Sequence, residues 1–185
     1  GAVQRLQQLE PAQAVNLVGF SLGGNFCLRV GARAAEAGLR LEQVVAVCPV
    51  IDPEHTLVRL ERGWALYRQY FVWKWRRSLR RKQAAWPQLY DLSEALELDN
   101  LTDMTDHLVC KYGGYPSLEE YLHGYAIVDD ALASLVHPTR IISAADDPII
   151  PASDLSRIAQ SRALSVTCTA LGGHCGFYDG RGELT

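Results

Sequence analysis

Cysteine is sparse in this sequence. The five that occur, Cys27, Cys48, Cys110, Cys168 and Cys175, are odd in number, far apart and never in a CxxC pair. That excludes a disulfide framework and a CxxC-type zinc site, and it predicts a reducing, cytoplasmic setting. Surplus positive charge is missing as well. The formal net charge is −3, so no global attraction to nucleic acid is expected and any basic patch must be local. No apolar run approaches the roughly 20 residues of a membrane-spanning helix. The first residues lack the charged, apolar and small-residue zones of a signal peptide, so a soluble chain is expected. His55, His107, His123 and His137 show no HExxH pattern and no ligand spacing, so the sequence calls for no metal.

What is present suffices for a core: 48% of the 185 residues are hydrophobic and 21% charged, the balance of a globular domain. Short strand-like runs alternate with helical patterns. Val15–Phe20 and the stretches 44–47, 140–143 and 165–170 read as buried strands of a parallel sheet. A helix over 25–37 follows the first strand, with Phe26, Val30 and Ala34 at helical spacing and Gly38 as its stop. Residues 53–136 carry no strand pattern. There Leu57, Leu60, Trp64, Tyr67 and Phe71 fall on one apolar stripe, and SLEEYL from Ser117 has a capping-box start with Glu120 three residues on. The predicted organisation is a core of 1–52 and 137–185 with a helical cap, 53–136, inserted in it.

The stretch NLVGFSLGGNF, residues 16–26, runs a strand straight into Ser21. At so sharp a strand-to-helix turn the serine backbone is strained, and side chains two residues to either side are expected to collide with neighbouring backbone. Gly19 and Gly23 remove that collision. A G-x-S-x-G pentapeptide alone fits an ordinary glycine-rich turn equally well, so context decides. A serine hydroxyl is a weak nucleophile and needs a base in hydrogen-bond reach, itself oriented by a carboxylate. AADDPIIP from Ala144 follows the third strand, and GGHCGF from Gly172 follows the fourth. Glycines 172, 173 and 176 permit a tight loop that carries an imidazole back over the strand ends. Cys175, beside His174, shows no sign of a lowered pKa and reads as a structural thiol.

The order Ser, Asp, His on three loops after strands resembles the α/β-hydrolase superfamily. GFSLGGN, YRQYFVWKW with SLRRK and Pro87, SLEEYL, HPTRIISAADDPIIP and GGHCGF resemble its YheT-like branch of predicted hydrolases and esterases across nearly the whole chain. The resemblance implies an α/β-hydrolase fold whose partial parallel sheet, of four strands, carries a helical cap. It implies a serine esterase with Ser21 as nucleophile, His174 as base and Asp147 as orienting acid. Asp146 is the rival for the acid, and Asp147 is preferred because Pro148, Ile149, Ile150 and Pro151 follow it in the family pattern. The backbone N–H of Leu22 would help hold the oxyanion, no cofactor is needed, and the substrate would be an acyl ester or lipid-like small molecule. An acyltransferase and a non-catalytic binding module on the same fold are the rival readings.

Phe20, Trp64 and Phe71 are the substrate-binding candidates. A cationic run in the cap, Lys74, Arg76, Arg77, Arg80, Arg81 and Lys82, lies among Tyr70, Phe71, Trp73, Trp75 and Trp86. It reads as a solvated helix face over buried aromatics or, alternatively, as a contact for anionic lipid headgroups. In the family several strands precede the elbow, the loop after the third supplies a second oxyanion N–H, and a closing helix follows the histidine. Only a helix-like stretch, Val3 to Leu9, precedes the elbow strand here. The expectation is a carboxy-terminal part of a longer enzyme, with Val15–Phe20 at an exposed sheet edge and little activity on its own.

Overall fold

Four parallel strands, hydrogen-bonded in the order β1-β2-β3-β4, form the sheet of the computed structural model, which describes residues 1–177. They are β1 (Val15–Phe20), β2 (Leu41–Val47), β3 (Thr139–Ala144) and β4 (Leu164–Thr169). All four expected strands occur, and β1 has the expected bounds. β2 starts at Leu41 rather than at 44, because the exposed Glu42 and Gln43 interrupt its apolar pattern while the ladder continues through a register shift, Leu41 opposite Val15 and Gln43 opposite Asn16. β1 is the outermost strand on its side among the described residues, as expected, and its Val18 and Phe20 are 59% and 58% exposed.

Helix α1 (Ala2–Leu9) precedes β1, and helix α2 (Leu22–Ala32) follows it. The expected helix over 25–37 is therefore displaced. It begins as soon as the chain leaves Ser21 and ends at Ala32. A tight turn follows, in which Gly38 donates to the Ala35 carbonyl and Leu39 to that of Ala34. Gly38, at φ 64°, ends that turn rather than the helix. Gly31 lets α2 settle on the sheet, since a Cβ there would meet Val44 and Leu135 at 3.2 and 3.3 Å. Leu28, Val44, Ile51, Ile127, Leu132 and Ile141 close the core beneath it.

The chain divides into two compact units, one of residues 1–52 with those from Tyr125 onward and one of 53–124. The cap was expected to reach 136. Instead Ile127, Leu132 and Leu135 are buried in the sheet unit, and Ile127 N–H donates to the Ile51 carbonyl at 2.9 Å.

The second unit is helical: α3 (Pro53–Arg62), α4 (Ala65–Ala85), α5 (Ser93–Glu97), α6 (Leu101–Tyr112) and α7 (Leu118–Gly124). The expected single stripe breaks at Gly63 and Trp64, between α3 and α4. Leu57, Leu60 and Phe71 pack against Val72, Leu101 and Met104, whereas Trp64 is 84% exposed. α7 starts as expected, with Ser117 Oγ accepting from the Glu120 N–H at 3.2 Å. Among the described residues no helix is long and apolar enough to cross a membrane.

Candidate active site

Parallel strands point their carboxyl ends one way, so the loops after β1, β3 and β4 share one end of the sheet, and all three carry sequence-nominated residues. Ser21 stands between β1 and α2 with φ 52° and ψ −122°. A residue with a Cβ adopts positive φ at a cost of order 1–3 kcal/mol and holds it only when its surroundings over-determine it. They do so here: Ser21 N–H donates to the Val47 carbonyl at 2.9 Å, and the Ser21 carbonyl accepts from Asn25 and Val50.

Gly19 is obligatory, because a Cβ there would sit 2.3 Å from the Gly23 carbonyl oxygen. Gly23 is not the second collision point that was expected. A Cβ on it meets nothing within 4 Å among the described residues, and the tight neighbour is Gly24, at 3.1 Å from both the Gly19 carbonyl and the Pro49 side chain. α2 leans on the Gly19–Pro49 backbone one residue further along than the pentapeptide implies. Leu22 opens α2, so its N–H is one of those that a helix leaves without an internal acceptor.

Sequence reading missed Asn25. It is fully buried, and its Nδ2 donates to the carbonyls of Val50 and Tyr125, both at 2.8 Å. This amide joins the elbow helix to the chain on both sides of the insertion. A polar residue on the core face of a glycine-rich helix was the available signal.

The two aspartates after β3 divide their work. Asp147 is buried, and its Oδ2 lies 2.9 Å from His174 Nδ1, while its Oδ1 accepts from the N–H groups of Ile149 and Ile150 at 2.8 and 3.0 Å. Burial alone would raise its pKa. The hydrogen bonds from His174, Ile150 and Ile149 outweigh that and hold the carboxyl below its ordinary value. Asp146 is exposed and accepts from the Gly173 N–H at 2.8 Å, which fixes the loop rather than the ring. Adjacent residues leaving a strand thus face apart, as their alternation requires.

No family model matches the chain. Monoacylglycerol lipase ABHD2 of Danio rerio is 26% identical over 92% of it, and that of Homo sapiens is 26% identical over 96%. The chain spans 43% and 46% of those proteins, about half their length. Among solved structures, Candida antarctica lipase A matches with a TM-score of 0.56 at 13% identity, over 93% of this chain and 47% of its own. An alpha/beta fold family hydrolase from Bacillus anthracis str. Sterne gives 0.54 at 14% identity, over 94% and 65%. Structural likeness at such identities speaks for the fold, and the curated relatives supply the sequence link. The chain has the α/β-hydrolase fold, and its curated relatives support the α/β-hydrolase superfamily.

In this fold the histidine loop is tied to the end of β2 by two thiols. Cys48 Sγ donates to the Gly173 carbonyl at 3.8 Å, and Cys175 Sγ donates to that of Val47 at 3.7 Å. Burial pushes the Cys48 thiol up to about 12. Burial raises Cys175 as well, against the lowering pull of its hydrogen bonds with Cys48 and the Ser21 main chain. Neither is an activated nucleophile.

Of the substrate-binding candidates, Phe20 is 58% exposed at the end of β1, Trp64 caps α4 in the open, and Phe71 packs inside its own unit. The cationic run on α4 is largely matched locally. Lys74, Arg77 and Lys82 lie 5.4, 5.6 and 4.1 Å from the rings of Tyr70, Trp73 and Tyr90, and Arg76 pairs with Asp99 at 2.7 Å. A cavity of about 800 Å³ lined by Gln43, Pro138, Arg140 and Ser165 opens at the opposite, amino ends of the strands, far from this chemistry.

Proposed function

We propose that this α/β-hydrolase cleaves carboxylic esters of acyl or lipid-like substrates by a Ser21–His174–Asp147 triad. The observation that carries the reading is the strained Ser21 elbow at the same end of the sheet as the 2.9 Å His174–Asp147 pair. With Nδ1 engaged by Asp147, Nε2 of His174 is the nitrogen left to accept the Ser21 proton. Ser21 Oγ then attacks the ester carbonyl, and the Leu22 N–H stabilises the developing oxyanion. The imidazolium returns the proton to the departing alcohol, and a water activated by the same nitrogen releases the acid. The curated monoacylglycerol lipase relatives support an ester substrate, and the YheT-like motifs remain our reading of the branch.

Within the described residues Leu22 is the one oxyanion donor assigned. Losing a single such donor costs about 10²–10³ in rate. The Leu22 N–H is thus expected to carry a rate factor of that size.

A fluorophosphonate probe tests the reading directly. Covalent labelling of the protein that disappears in Ser21→Ala supports the enzyme, and failure to label a folded chain favours the binding module. Turnover that depends on an acyl acceptor other than water identifies a transferase. Peripheral contact of the Lys74 to Lys82 face with anionic headgroups belongs to the proposal, supported by the exposed Trp64, Leu66, Tyr70 and Trp73. Cosedimentation with phosphatidylserine vesicles but not with phosphatidylcholine vesicles is the expected result.

A further inference from the structure

Beside the proposed base the ends of β2 and β4 bring three metal-ligating groups together. Cys48 Sγ, Cys175 Sγ and a ring nitrogen of His174 lie within 4.8 Å of one another. Local sequence spacing hides this cluster, since Cys48 follows β2 and the other two follow β4. Both cysteines hold positive φ, 43° and 64°, a conformation that residues with a Cβ rarely adopt. Each thiol also hydrogen-bonds the main chain of the other's segment. The side chains are thus held facing one another. Cys48 is buried while His174 and Cys175 are partly open, so an ion has a route in from the histidine side.

We propose that Cys48, Cys175 and His174 form a binding site for a thiophilic divalent cation of the zinc type, and that occupancy switches the proposed hydrolase off. Zinc takes thiolate sulfur at about 2.3 Å and imidazole nitrogen at about 2.0–2.1 Å in a tetrahedron. Those lengths put ligand atoms roughly 3.5–3.8 Å apart, so from spacings within 4.8 Å a contraction of at most about 1 Å is needed, which side-chain rotation supplies. Two sulfurs and one imidazole select zinc or a softer ion over magnesium or calcium. Binding releases the thiol protons to solvent and leaves a fourth position for water. If the ion takes His174 Nε2, the serine loses its proton acceptor. If it takes Nδ1, the ring loses Asp147. Either way the base is removed.

The inhibitory consequence rests on the triad reading, whereas the metal site does not, so the two are tested separately. Cobalt(II) titration of the reduced protein is expected to give one equivalent with a near-ultraviolet thiolate-to-cobalt charge-transfer band that zinc displaces. Cys48→Ala and Cys175→Ser should each lose the band and weaken binding at least about tenfold. The double variant Cys110→Ser with Cys168→Ser, whose thiols lie elsewhere and are exposed, should keep it. Should Cys48→Ala fail to fold, Cys175→Ser decides alone. Absence of the band, or its survival in Cys175→Ser, overturns the site. Zinc should also suppress fluorophosphonate labelling of Ser21, with recovery on adding EDTA. Labelling unchanged by saturating zinc overturns the switch, while a protein that never labels without zinc instead overturns the triad reading and leaves the cobalt result standing.

Discussion

The loops at the carboxyl ends of the strands and the helical insertion 53–124 are built to different tolerances. Among the described residues Ser21, Cys48, Asp129 and Cys175 are the non-glycine residues with positive φ, and all four lie outside the insertion. Three of them surround the proposed site. The insertion has ordinary helices, a small cluster around Val72, Leu101 and Met104, and many exposed aromatics. Strained backbone persists only where several bonds fix it, so the strand ends specify positions sharply. The insertion specifies mainly a surface. Substitutions should therefore act abruptly at the strand ends and by degrees in the insertion.

The largest effect is expected at Ser21. Ser21→Ala keeps the Cβ, the strained φ and the three main-chain bonds, and removes only the oxygen. Loss of a nucleophile that acts as a unit with its base costs about 10⁶ in kcat in a serine protease precedent. Activity and probe labelling should vanish while the urea midpoint stays unchanged. Residual turnover near the unmutated level would remove Ser21 from the mechanism.

Next come the neighbouring aspartates, a comparison within the sharp region itself. Asp147→Asn should cost about 10⁴ in kcat, because an amide in place of the carboxylate stabilises the wrong imidazole tautomer. Asp146→Asn leaves an oxygen to accept the Gly173 N–H and should cost no more than about tenfold, the upper end of a neutral hydrogen bond's worth. The pH dependence of stability should separate them too. The Asp147 carboxyl titrates below its ordinary range, so its stabilising contribution is present above the unfolded pKa and is lost as pH falls through the lower folded one. Acid unfolding of Asp147→Asn should lack that component. A larger kcat loss in Asp146→Asn would exchange the two roles.

The contrast between the regions also decided what the sequence could disclose. β1, the elbow, Asp147 and His174 were legible because strand runs, obligatory glycine and turn chemistry leave local marks. The Asn25 clasp and the Cys48–Cys175 contact were not, since each joins segments far apart in the chain. Gly23 was misread for a related reason: the pentapeptide pattern names it, but the collision depends on where Pro49 lies. In the insertion, helical periodicity passed through Gly63 as though α3 and α4 were continuous, because apolar spacing does not record a change of direction. The boundary at 124 rather than 136 was hidden because buried residues outside helices and strands, such as Ile127 and Leu132, resemble helix faces.

That misreading yields a third test, on stability rather than rate. Gly19→Ala drives a Cβ into the Gly23 carbonyl, and backbone cannot step aside as a flexible side chain does. A loss of about 3 kcal/mol or more is expected by urea denaturation, at or beyond the upper end of ordinary overpacking. Gly23→Ala meets open space inside the first turn of α2 and should gain about 0.5–1 kcal/mol from helix propensity. Equal losses from both would restore the symmetric view of the elbow.

The smallest effects are expected in the insertion, where Trp64 and Phe71 separate surface from packing. Trp64 is 84% exposed at the start of α4, so Trp64→Ala removes apolar area without opening a cavity, and the thermal midpoint should hold. If that area meets acyl chains, preference between long and short esters should shift by about tenfold, the worth of one or two methylene contacts, with little change on a minimal ester. Phe71 instead packs with Leu57 and Leu60 against the cluster around Met104, its ring 5.0 Å from that of Tyr67. Its truncation should cost about 1–3 kcal/mol, below the 3–5 of a fully buried phenylalanine, and should lower turnover on every ester alike. A chain-length shift in Phe71→Ala with an unchanged midpoint, or none in Trp64→Ala, would move the substrate surface away from the start of α4.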